Sequence, residues 1–202
     1  MLTIKNCYGK MAMKKILGIV VLGLFLITPS QADDIRDFQI EGMSIEDSAL
    51  DYYSYQEINS SIVKSVYKDD EYFEVDLKSK KNTYERITLM FKKNDDNFLI
   101  HSIRGYNSID FQKCKKKSTS VIKEIKSTVK ITGNKNYKSK YQYGKSFALV
   151  SDLKAVGGSI RIWCDNWDEN NEIVKQNRWN DAINVDISTE ENLFWLNNKA
   201  YK

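Results

Sequence analysis

The sequence predicts an α+β domain with a mainly antiparallel sheet. Three observations point to it: apolar residues alternate with polar ones in short runs, the runs fall in two clusters, and one long amphipathic helix separates the clusters. Strands that alternated singly with helices would instead predict a parallel sheet.

The elements follow in order. Gly42 marks a turn, and Ser44 with Asp47 three residues on forms a capping box with a shortened acid. Ile45, Ala49, Leu50 and Tyr53 then recur at near-helical spacing, which predicts a short helix ending near Tyr53, with a further helical turn over about 56–63. Phe73, Val75 and Leu77 form the first period-2 run, and Ile87, Leu89 and Phe91 the second. A third run over 98–106 is apolar on both faces at its start and reads as a central strand. Polar turns at 78–82 and 94–97 join these into a three-stranded antiparallel meander.

Residues 110–130 carry the clearest helix. Phe111, Cys114, Ser118, Val121, Ile122, Ile125 and Val129 make one stripe, opposite Lys115, Lys116, Lys117, Lys123 and Lys126. A polar connection through Gly133 and Gly144 leads to strands at 146–153, 159–164 and 182–187, a second three-stranded meander. In the middle one Ile160, Ile162 and Cys164 share a face while Arg161 and Trp163 take the other. Ser188, Thr189, Glu190 and Glu191 open a short C-terminal helix with Leu193, Leu196 and Ala200 on one side.

The 202 residues are 42% hydrophobic and 29% charged, the composition of one globular domain. From Met13 the chain reads Met-Lys-Lys, an apolar run from Ile16 to Ile27, then small residues up to Ala32. These are the three parts of a cleaved Sec-type signal peptide, which predicts 1–32 as leader, Met13 as functional start and 33–202 as a single periplasmic or secreted domain. The run falls short of the ~20 apolar residues of a spanning helix, so no stable membrane span is expected after cleavage; an uncleaved anchor is the alternative. Removing the leader takes away Lys5, Lys10, Lys14 and Lys15 and leaves 27 basic against 27 acidic residues. A zero net charge argues against a nucleic-acid partner, which needs a basic surplus to neutralise phosphate. Export also removes Cys7, and the remaining pair, Cys114 and Cys164, is expected to form a disulfide in an oxidising compartment, stapling the long helix to the sheet.

The stretch from Asp34 to Ile45, the helix bearing Cys114, the Cys164-Asp165-Asn166-Trp167 segment and the closing Phe194–Tyr201 resemble a family of small uncharacterised exported proteins of AT-rich marine bacteria. The resemblance spans nearly all of the mature chain and departs at Glu46, where the family is expected to have glycine. It implies export and one fold unit, and it brings no chemistry. Gly42, Met43 and Ser44 are also similar to the helix entry of the small lipoprotein of the outer-membrane barrel-assembly machinery, whose lipid-bearing cysteine is missing here.

Candidate chemistry is sparse. His101 is the only histidine and lies in a strand between apolar neighbours, as a structural residue or a general base. Asp165, Asp168 and Glu172 supply oxygens for calcium, without the turn glycine or spacing of an EF-hand; a solvated loop is the alternative. Trp163, Trp167 and Trp179 offer an aromatic binding face, Trp163 standing opposite Cys164 on its strand. The lysines at 113 and 115–117 read as the wet face of the helix, or as a contact for anionic lipid. The expectation is therefore a non-enzymatic binding protein without cofactor, its partner an envelope protein or a polysaccharide. The alternative is an envelope or extracellular hydrolase using a carboxylate or His101 site.

Overall fold

The computed structural model describes residues 34–64 and 67–202; the leader lies outside the described residues. The period-2 runs become strands β1 (Tyr72–Lys78), β2 (Arg86–Lys92) and β3 (Ser102–Ser108), and the stripe around Cys114 becomes a helix over Phe111–Thr128. Four further strands follow, β4 (Gly133–Lys140), β5 (Phe147–Ala155), β6 (Gly158–Asn166) and β7 (Ala182–Thr189). Helix α1 is Tyr55–Ser60, the Phe111–Thr128 helix is α2, and α3 (Glu172–Asn177) and α4 (Glu190–Asn198) flank β7. All seven strands form one antiparallel sheet in the order β1-β2-β3-β7-β6-β5-β4. Two meanders, β1–β3 and β4–β7, are thus sewn together along their last strands.

The second meander has four strands where the sequence predicts three. Strand β4 replaces the expected connection: Gly-Asn-Lys-Asn-Tyr-Lys-Ser-Lys is exposed along most of its length. An edge strand needs no apolar alternation when neither face is covered, and its lysines discourage pairing with other chains. Helix α3 was also not expected; it is capped by Asn171 and stops at Arg178, held at φ +53°.

At the N-terminus the correction is larger. Asp47 Oδ2 accepts from Ser44 N at 2.8 Å, so half of the expected box forms. No α-helix follows, because Glu46 takes φ +71° and a left-handed residue cannot propagate a right-handed helix. That conformation is the one glycine adopts without strain. A 3-10 turn over Ala49–Asp51 comes next, and the α-helix is α1, where Ser54 and Glu57 complete a full capping box. Phe98, at φ +50°, delays β3 to Ser102. The displaced residues bond back to the N-terminal segment, Glu46 N donating to Ile100 O at 2.9 Å and Ala49 N to Phe98 O at 3.0 Å.

One sheet face carries the main core. Leu89, Ile103, Ile187 and Ile160 lie in register across four strands, each fully buried under the N-terminal segment and α2. Helix α2 starts at Asp110, whose carboxylate accepts from Gln112 N and Lys113 N, and buries Phe111, Cys114 and Ile125. Cys114 and Cys164 form the expected disulfide, with Cα atoms 5.8 Å apart. A smaller cluster of Tyr72, Met90, Trp195 and Ala200 sits under α4 on the opposite face. Its cap is Thr189, whose side chain accepts from Asn192 N, and its fully buried residues are Asn192 and Trp195. Ser188, one residue earlier, lies within β7 and turns its hydroxyl to Asp186, donating to Oδ1 at 2.7 Å. Among the described residues no helix is long and apolar enough to cross a membrane.

Candidate functional site

The sheet face away from α2 is polar along its middle. Asp76, Thr88, Arg104, Asp186, Arg161, Asp152 and Lys135 stand opposite one another across all seven strands. From Arg104 outward the charges alternate in sign, the cross-strand arrangement that lowers electrostatic energy. Arg161 Nη2 lies 3.2 Å from Asp186 Oδ1, Arg104 Nε lies 3.7 Å from Asp186 Oδ2, and Arg104 Nη2 lies 3.3 Å from Glu74 Oε1. The Asp186 side chain is 2% exposed, whereas those of Arg104 and Arg161 are 31% and 28% exposed. Burial alone would push the Asp186 carboxyl up; Arg161, Arg104 and the Ser188 hydroxyl outweigh it and hold the group below its ordinary value.

The adjacent register row is aromatic. Tyr106, Asn184, Trp163, Val150 and Tyr137 face one another from β3 to β4. Three cations pack over rings of this row: Arg104 5.7 Å from Trp163, Lys135 5.4 Å from Tyr137 and, from outside the polar row, Arg86 4.7 Å from Tyr106. Beyond it, buried Asp165 accepts from the Tyr141 hydroxyl at 2.6 Å and from Asn184 Nδ2 at 2.8 Å. Burial raises the Asp165 carboxyl above its ordinary value in spite of those bonds.

These rows floor a groove of about 580 Å³. Arg104, Arg161 and Asp186 lie along its base, Trp163, Tyr137 and Tyr141 on one side, and Tyr67, Leu196 and Tyr201 on the α4 side. Arg104 Nε and Arg161 Nε are buried with no hydrogen-bond partner among the described residues. What the base offers a ligand is the part-exposed remainder of the two guanidinia beside flat aromatic surfaces, a pairing suited to a ligand with a ring and acceptor oxygens.

Of the three expected tryptophans only Trp163 lines the groove. Trp167 and Trp179 pack on each other at 4.7 Å, with Tyr141 stacked on Trp167 at 4.6 Å and Tyr143 edge-on to Trp179 at 4.9 Å. Tyr141 joins this cluster to the groove. The calcium candidates are separately engaged: Asp165 as above, Asp168 accepting from Lys145 N at 2.9 Å and Asn170 N at 3.1 Å, and Glu172 paired with Lys175 at 3.3 Å. No group of His, Cys, Asp and Glu gathered for a metal occurs among the described residues.

His101 borders a separate hollow of about 270 Å³ with Asp34, Arg36, Glu46 and Glu191. Its Nδ1 is 3.9 Å from Glu191 Oε2 and its ring meets Tyr72 edge-on at 5.3 Å. Burial lowers its proton affinity, with Lys92 adding to the effect and Glu191 opposing it. The acids are already paired, Arg36 with Asp34 and Glu46, and Lys92 with Glu191.

Arg104, Asp186 and Tyr137 were not anticipated from the sequence. The signal for Asp186 was present: Asn184, Asp186 and Ser188 alternate with Ile183, Val185 and Ile187, so one face of a fully buried strand is mostly polar. Tyr137 was hidden because β4 itself was. Compared with known proteins, the chain matches no family model, no curated protein and no solved structure.

Proposed function

We propose that the mature chain is an exported, non-enzymatic binding protein whose ligand seats over the Arg104–Asp186–Arg161 row. The carrying observation is that two part-exposed guanidinia share one sequestered carboxylate at the base of a groove walled by Trp163 and Tyr137. Among the residues that line the groove Asp186 is the sole carboxylate, and it is held ionised by its two arginines, which suits anchoring rather than proton transfer. The occupant is a polysaccharide or an envelope-protein segment, stacking on Trp163 and Tyr137 and accepting from Arg161. The disulfide supports export, because such bonds persist in oxidising compartments. The leader reading and the resemblance to exported marine proteins point the same way.

A glycan and peptide binding screen, followed by calorimetry on the hits, tests the reading. Arg161→Ala and Trp163→Ala weaken binding by tenfold or more, while Phe194→Ala, an exposed residue outside the groove lining, leaves it unchanged. A ligand held equally by all three variants overturns it.

The hydrolase alternative rests on His101 and Glu191 in their hollow. Loss of a measured hydrolytic activity in His101→Ala, with the fold intact, would replace the non-enzymatic reading.

A further inference from the structure

We infer that a second surface, made by the outer side of α2 and the β4–β5 edge, docks this protein on a bilayer rich in anionic lipid. The balanced net charge conceals a partition. Residues 112–154 hold twelve lysines, no arginine and two acids, Glu124 and Asp152. Residues 34–71 hold ten acids against three bases. Only parts of the two segments reach the sheet edges, and those parts lie apart; the acidic segment begins beside the β5–β6 turn, where Ile35 N donates to Val156 O at 3.1 Å, and α2 packs on β6 and β7. Val63 N donates to Glu74 O and Asp76 N to Ser61 O, both at 3.0 Å, so the later part of the acidic segment borders β1, one edge; β4 is the other.

The basic end is not a run of scattered side chains. Phe111 at the start of α2 meets Phe147 of β5 edge-on at 5.3 Å. Lys115 lies over the Phe111 ring at 5.2 Å and Lys138 over the Phe147 ring at 3.6 Å. Two chain-distant elements are thereby locked together with their ammonium groups on the outside. Lys138, Lys140 and Lys145, with Gly144, Ser146 and Phe147, also border an open hollow of about 290 Å³, room for a phosphate-bearing headgroup. Exposed Leu149 stands on β5 beside Lys138 in the β4–β5 register.

Three features favour a lipid surface over a single polyanionic chain. The charges spread over a convex helix and an edge strand rather than along a cleft. All of them are lysine, whose compact hydrated ammonium suits a fluid array of phosphates better than fixed bidentate pairing. The acids that border β1 lie at the edge away from β4 and are repelled by the same surface, which favours an orientation with β4 toward the lipid.

Vesicle co-sedimentation of residues 33–202, disulfide intact, tests the inference; residues 31–202 form one compact unit. Vesicles about one-third phosphatidylglycerol bind the protein and pure phosphatidylcholine vesicles do not, with binding falling at least tenfold between about 50 and 300 mM salt. Replacing Lys138, Lys140 and Lys145 together by alanine lowers partitioning by roughly tenfold or more. A charge-matched triple change at Lys64, Lys78 and Lys202 stays within twofold, circular dichroism confirming that both variants fold. Absence of vesicle binding, equal losses in the two triples, or capture by soluble polyphosphate without vesicle binding each overturns it. The groove ligand is independent of every outcome.

Discussion

Arg161 Nη2 sits 3.2 Å from Asp186 Oδ1, and the two residues are direct partners across β6 and β7. Arg104 reaches the same carboxylate from β3 on the other side. Removing one member of such a set costs more than the set itself contributes, since the charges left behind stay desolvated. Asp186→Ala therefore lowers unfolding free energy by about 3 kcal/mol or more, measured by urea titration. Changing Asp186 to Leu together with Arg104 and Arg161 to Met restores most of that loss and removes the candidate binding site with it.

Asp186 and Asp165 contribute to stability with opposite dependence on pH. The folded-state value of Asp186 is depressed, so its contribution is present above the unfolded value of about 3.9 and is lost as pH falls through the lower folded value. Asp165 is raised, mainly by burial. The folded chain then holds a proton that the unfolded chain has released, and stability declines as pH climbs from about 3.9 through the raised value. In Asp165→Asn that decline is absent. Paired thermal melts across pH 3.5 to about 7 check it: the melting temperature of the variant minus that of the wild type increases with pH.

The Cys114–Cys164 bond closes a loop with a sequence separation of 50. Loop-closure entropy for that length corresponds to about 4 kcal/mol. Replacing both cysteines by alanine lowers stability by an amount of that order in urea unfolding. Hydrogen exchange locates the effect, with α2 amides losing protection before those of β6 and β7, because the helix packs only one stripe onto the sheet.

What was legible in the sequence follows from where apolar burial imposes a period. Leu89 and Ile103 had to face a core, and α2 had to bury Cys114, so β1, β2, α2 and the disulfide could be read directly. Strand β4 imposes no such period, because both of its faces meet solvent around Lys135 and Lys138. The false helix at Ser44 has a different cause. Its cap chemistry is real, but the outcome turned on the backbone of Glu46, whose positive φ is set by tertiary hydrogen bonding to Ile100. The candidate site was half visible for a similar reason. Trp163 and Arg161 could be placed on one face by alternation, whereas their meeting with Arg104 and Asp186 depends on β7 inserting between β3 and β6, a pairing no local pattern encodes.

That insertion makes a test of its own. Gly158 opens β6 opposite Thr189, and a Cβ there would lie 2.0 Å from the Ser188 carbonyl oxygen and 2.7 Å from Ile35 Cδ1. Backbone on a paired strand cannot step aside, so Gly158→Ala forces β6 away from β7 where Arg161 must still meet Asp186. At Gly105 an added Cβ would meet only the Tyr84 ring, at 2.5 Å, and a side chain can rotate away. Gly158→Ala is expected to cost about 2 to 3 kcal/mol and Gly105→Ala less, compared in the same urea titration. If the central β6–β7 seam also positions the groove, only Gly158→Ala weakens ligand binding at urea concentrations where both variants remain folded. Equal stability losses in the two variants, or a larger one at Gly105, would show that β7 does not pair with β6 in this register.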